Sequence, residues 1–204
     1  GADNTATGIN GSFSAGANNT VAGDFGALAI GRGNSANGGA GVISLGNTND
    51  ANGDSGVIAI GRENIANGSE GVIAIGRTND VSGSTGSSAL GINNTVSGSF
   101  GATAIGRGNE ITGQFGVFAI GQANTVSGNL GCSAIGFNII NTTDGAQELG
   151  KRNQTDLSRK SALRIQDNGQ VSQTLNVSAT PLTASAAAVG SEANGELGVD
   201  MGAL

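Results

Sequence analysis

Apolar and polar positions alternate along this chain at one fixed phase. From Gly11 to Gly145 the sequence divides without a gap into nine blocks of 15 residues. Gly opens every block and also fills the sixth position of every block. Position five is Ile or Leu in eight blocks, and position four is always Ala or Ser. Position eleven is Val, Ala or Ile in eight blocks, between mostly polar neighbours at ten and twelve. A further Gly marks position thirteen in eight blocks, from Gly23 to Gly128. A fixed period of this length is the signature of a solenoid in which one block makes one turn.

Each block predicts two short strands and two bends. Runs such as Val57-Ile58-Ala59-Ile60 form the first strand. Side chains alternate faces along a strand, so positions three and five share one face and positions two and four the other. Both faces are apolar to some degree, which is the pattern of a doubly buried strand. On this reading the position-five residues Ile30, Leu45, Ile60, Ile75, Leu90, Ile105, Ile120 and Ile135 line the coil as its structural core. The small Ala and Ser side chains then turn outward against sister copies, because one turn is too thin to hold a core alone. Positions nine to twelve give a half-buried second strand with a wet outer face. Gly at positions one, six and thirteen supplies the corners.

Asn fills position nine eight times, as Asn19, Asn34, Asn49, Asn64, Asn79, Asn94, Asn109 and Asn124. The expected role is structural: stacked amides bond from turn to turn, and Asn tolerates left-handed corners. Nine turns at a strand spacing of about 4.8 Å make a rod roughly 43 Å long. Three segments follow. Residues 1–10 form a partial N-terminal turn, since Gly8 lies one period before Gly23. Residues 11–145 form the roll. Residues 146–204 comprise a polar cap or linker to about residue 160, a hairpin and an Ala/Gly-rich remainder. The hairpin is predicted over 161–166 and 170–177 with its turn at Asp167-Asn168-Gly169, ending at Thr180-Pro181, and a last strand is expected near Leu197.

Composition narrows the function classes. Gly accounts for 38 of 204 residues, but its spacing of 15 excludes a collagen triple helix. The six Phe, with no Tyr or Trp, fit a narrow interior. A net charge of −6 argues against nucleic-acid binding, which needs a basic face. The absence of His removes the usual general base and the commonest metal ligand. Cys132 is alone, so no intrachain disulfide or thiolate zinc cluster forms, and it reads as a small buried apolar residue. No apolar run reaches the length of a membrane span, and no signal peptide is visible. No catalytic residue, metal site or cofactor is predicted. A calcium-binding solenoid would need a nonapeptide period. An ice-binding face would need a regular Thr array, which position ten breaks with Asp50, Ile65, Asp80 and Glu110.

Two basic features invite a ligand. Arg32, Arg62, Arg77 and Arg107 all occupy position seven, where they are candidate contacts for an acidic or sulfated glycan. The structural alternative pairs them with acids such as Glu63, Asp80 or Glu110. Lys151, Arg152, Arg159, Lys160 and Arg164 cluster after the repeats, as an anionic site or, on the preferred reading, a solvated collar.

The runs Ala29-Ile30-Gly31, Ala59-Ile60-Gly61, Ala74-Ile75-Gly76, Ala104-Ile105-Gly106 and Ala119-Ile120-Gly121, each followed by Asn and then a Gly, resemble the head repeats of trimeric autotransporter adhesins. The same repeats are similar to those of some phage tail-fibre proteins. The resemblance implies a left-handed parallel β-roll, a homotrimer and adhesion as the activity. The neck, heptad stalk and anchor usual after such heads are not visible. The stretch Leu149-Gly150-Lys151-Arg152-Asn153 followed by a hairpin is similar to phage-fibre sequences instead. The expectation is therefore an all-β, non-enzymatic attachment protein, extracellular on a virion tail or a bacterial surface. Its expected partners are itself and a host or matrix receptor, a glycan among the candidates, with no nucleic acid and no insertion into a membrane. The alternatives are an adhesin head and a purely structural filament.

Overall fold

The strands stack in parallel, each on its counterpart one turn away. A computed structural model describes residues 2–151, 161–165, 168–172, 189–191 and 197–199. It is an all-β solenoid of about ten turns. One sheet of ten strands holds the second strand of every turn, and another of twelve begins with the AIG strands. The register is 15 residues throughout the repeats: Ile73 pairs with Ser88 and Ile58, and Gly76 with Gly91 and Gly61. The N-terminal partial turn joins this pattern through Thr5–Ala6, which pairs with Thr20–Val21.

Gly at position six is required by both backbone conformation and space. Gly61 has φ +122°, and a Cβ there would overlap the carbonyl of Gly76. Gly53, at position thirteen, has no such φ but is hemmed in by the Gly68 carbonyl and the Val57 side chain. Left-handed corners fall at the position-one Gly, as in Gly71 with φ +61°, and at position eight, one residue before the Asn column. Thr48, Glu63, Thr78 and Ala123 all adopt φ near +55° there.

The interior corrects the expected orientation of the AIG strand. Ala29, Ala59, Ala74, Ala89, Ala104, Ala119 and Ala134 at position four are fully buried inside the single coil, not held against another copy. Position two joins them through Val42, Val57, Val72 and Val117, and position eleven through Val21, Val81, Val96 and Ile111. Ile30, Leu45, Ile60, Ile75, Leu90, Ile105, Ile120 and Ile135 therefore point outward and are not core residues. Ile30 is 41% and Ile105 40% exposed, and the others are half-buried or exposed. Volume decides this. The two sheets close on a space that already holds the position-nine Asn and the position-eleven side chain, leaving room for Ala but not Ile. Among the inward hydroxyls, that of Ser44 donates to the Asn49 carbonyl at 3.0 Å and that of Ser87 to the Gly98 carbonyl at 3.1 Å, whereas the buried Ser14 hydroxyl in the first turn has no hydrogen-bond partner among the described residues. Cys132 occupies position two of its turn and is buried.

The coil runs further than the repeats. Gln147–Lys151 forms one more parallel strand on Ser133–Phe137, after a turn shortened by one residue. This stretch belongs to the segment expected to be linker. Ser161–Ile165 then pairs antiparallel with it, and Val171–Ser172 pairs antiparallel with Ser161–Ile165. This forms a hairpin about Asn168 and Gly169, where the Asn168 side-chain oxygen accepts from the Gln170 amide at 3.0 Å. Leu197–Val199 pairs antiparallel with Val189–Ser191. Asp167, residues 173–177 and Thr180-Pro181 lie outside the described residues, as do Arg152, Arg159 and Lys160 of the basic cluster.

Candidate interaction surface

The Asn column is an internal ladder. Each amide nitrogen donates to the side-chain oxygen of the Asn one turn earlier, from Asn19 on Asn4 to Asn124 on Asn109, at 2.9–3.1 Å. The same nitrogen reaches two backbone carbonyls. For Asn79 these are Ile75 at 3.0 Å and Gly91 at 2.8 Å. Each side-chain oxygen also accepts a backbone amide from the next turn, as Asn64 does from Asn79 at 3.0 Å. The row ends where Ile139 replaces Asn: its amide still donates to Asn124 at 3.0 Å. These Asn are fully buried with every polar group paired, as buried amides must be. They have no group left for a ligand.

The outer face of the AIG sheet is the larger exposed feature. Strict register aligns positions three, five and seven in three parallel columns. The central column is Ile or Leu from Ile30 to Ile135 and continues to Leu149, which is 45% exposed. The position-three column adds half-buried Leu28, Ile43, Ile58, Ile73 and Phe118 beside it. Together they make an apolar strip about 38 Å long, interrupted in the position-three column by Ser88 and Thr103, with columns about 6–7 Å apart. Contiguous exposed apolar surface of this extent is characteristic of interaction sites.

The arginines border that strip. Arg62 and Arg77 are register partners, and Arg32 and Arg107 stand two turns beyond on either side. All four are exposed. Arg62 pairs with Glu63 at 3.0 Å. Arg32, Arg77 and Arg107 pair with no carboxylate among the described residues, and Asp80 and Glu110 belong to strands of the other sheet. The arginines do not converge on a cavity; they form an edge.

A second exposed column was not singled out from the sequence. Position fifteen carries Phe25, Phe100, Phe115 and Leu130, which are 47–64% exposed. Phe100 and Phe115 stack with ring centroids 5.3 Å apart. Phe115 and Leu130 adopt φ of 64° and 58°, where bulky residues are rarely found. The signal was present as three Phe and one Leu at one block position. Among the described residues no cluster of three or more His, Cys, Asp or Glu could hold a metal.

Fold and surface together define a β-solenoid repeat protein with one apolar sheet face. No family model matches the chain, and neither a curated protein nor a solved structure does.

Proposed function

We propose that this chain is a non-enzymatic segment of a homotrimeric attachment fibre, a phage or phage-like tail component displayed outside the cell. The observation that carries the reading is the unbroken Ile/Leu column on the outside of a coil whose core is already complete. Full burial of such a side chain stabilises by about 1.5–3 kcal/mol, so burying the exposed remainder gives roughly 1 kcal/mol each. Eight of them per chain, with position three beside them, are comparable to an association cost of about 4–15 kcal/mol. The number three comes from the resemblance of the AIG repeats to adhesin heads and phage fibres. In the assembly the roll acts as a stiff spacer that repeats weak receptor contacts on equivalent faces, and multivalency raises their combined avidity.

Solution mass under native conditions tests the assembly, and three chains per particle is the expected result. A stable monomer overturns it. Binding of the intact assembly to host surface extracts tests attachment, and no binding favours a purely structural filament. The same repeats support a bacterial adhesin head as the second reading. Neighbouring tail genes favour the fibre; a leader and membrane anchor in the full gene favour the adhesin.

A further inference from the structure

Two exposed columns bound the apolar face. Position seven runs along one border, just before the left-handed corner at position eight. Position fifteen runs along the other, just before the corner Gly of the next turn. The chain climbs one strand spacing per turn. A position-fifteen residue therefore lies, in height, between position seven of its own turn and of the next.

That places particular residues level with one another. Glu70 falls between Arg62 and Arg77, the one place where position seven holds arginines in successive turns. It is the only charged residue at position fifteen of the nine repeats. It is exposed, and it pairs with no cation among the described residues. Phe100 and Phe115, the stacked pair, bracket the height of Arg107. Within one chain the two borders stand on opposite edges of the sheet face, so none of these groups meets its level mate.

We infer that the two borders are complementary halves of one joint between copies of this chain. Glu70 of one copy sits between Arg62 and Arg77 of the next, and Arg107 of that copy lies against the Phe100–Phe115 pair. The inference rests on the self-association proposed above and adds what fixes direction and register. Parallel copies related by rotation about the rod axis bring position seven of one to position fifteen of the next, a heterologous contact that closes into a ring. Antiparallel mating of the same face would instead set the arginine column against itself. Sliding one copy by one turn leaves Glu70 beside a single arginine, with Asn47 or Ile92 on its other side. Only the unshifted register gives it two. The Arg62–Glu63 pair does not compete strongly, since both side chains are well exposed and such pairs contribute little. A guanidinium over aromatic rings is attractive, and its stem covers apolar surface.

The test is the assembly equilibrium at low salt, followed by sedimentation or light scattering against chain concentration. Glu70→Arg is expected to raise the dissociation midpoint on the order of ten-fold or more, because like charges then face each other across the joint. Arg62→Glu with Arg77→Glu does the same. Combining all three substitutions in one chain restores assembly to within about three-fold of the parent. Glu70→Gln, which keeps the side chain's size, weakens assembly by a smaller factor. The sites are exposed, so the melting of each dissociated chain checks that the fold is kept. A parent chain that is monomeric at every concentration overturns self-association itself. A parent that assembles while Glu70→Arg assembles equally well overturns the joint alone, as does a triple variant that is not rescued.

Discussion

Two faces of one strand follow opposite rules in this molecule. In Ile73–Arg77 the inward Ala74 is fully buried, whereas the adjacent Ile75 looks outward. The inner face selects by size and by hydrogen-bond inventory, and the outer face by what another surface can cover. Hydrophobicity therefore does not rank the residues by depth: the most apolar column is outside and the amide column is inside. A coil this narrow gives volume the deciding vote, because close-packed interiors do not yield to an extra methylene group.

The sharpest way to break that contrast is at the ladder. Asn79→Ala removes bonds to Asn64, Ile75, Gly91 and Asn94 and strands their buried partners. At about 1–3 kcal/mol for each group left unsatisfied, thermal or denaturant unfolding should report a loss of about 4 kcal/mol or more. Ala74→Leu is next. With no interior space it should destabilise by about 3 kcal/mol, and a variant that melts like the parent would mean the interior is wider than described. On the outer face, Ile75→Ser with Ile105→Ser should cost the dissociated chain about 2 kcal/mol, for the part of each side chain its own coil already covers, while sharply weakening assembly in sedimentation. A loss of intrinsic stability there as large as that of Asn79→Ala would erase the difference between the faces. The smallest expected effect lies at the corner. Thr78 holds φ +55° with a β-branched side chain, where Gly33 and Gly108 serve in other turns. Thr78→Gly should raise the melting temperature, corresponding to about 0.5–1 kcal/mol of stabilisation from relieved strain.

Much of the architecture was legible in the residues. The 15-residue phase gave the turns, the strands and the solenoid, because each turn repeats the same backbone problem and the same glycines solve it. The Asn positions pointed to stacking, since a buried amide repeated at one phase finds its best partner in its own neighbour. The orientation of the AIG strand was not legible from apolarity. Ile outranks Ala on any hydrophobic scale, and only the room left beside Asn and position eleven reverses the choice. A clue lay in position two, where Val, Ala, Ser and Cys share the parity of Ala at four and are all small. The strand Gln147–Lys151 escaped because its turn is one residue short, which broke the phase although Leu149 and Gly150 keep the motif. The Phe column was overlooked because position fifteen is Ala, Ser, Glu or Thr in the intervening turns.

The buried amides all face one way. From Asn4 to Asn124 each side-chain carbonyl is turned toward higher residue numbers, and from Asn19 onward the nitrogen is bonded back to the turn before. Nine such dipoles in file polarise one another and leave partial positive charge at the Asn4 end and partial negative charge near Ile139. The rod thus has an electrical polarity written into its middle, by the same head-to-tail addition that gives an α-helix its macrodipole.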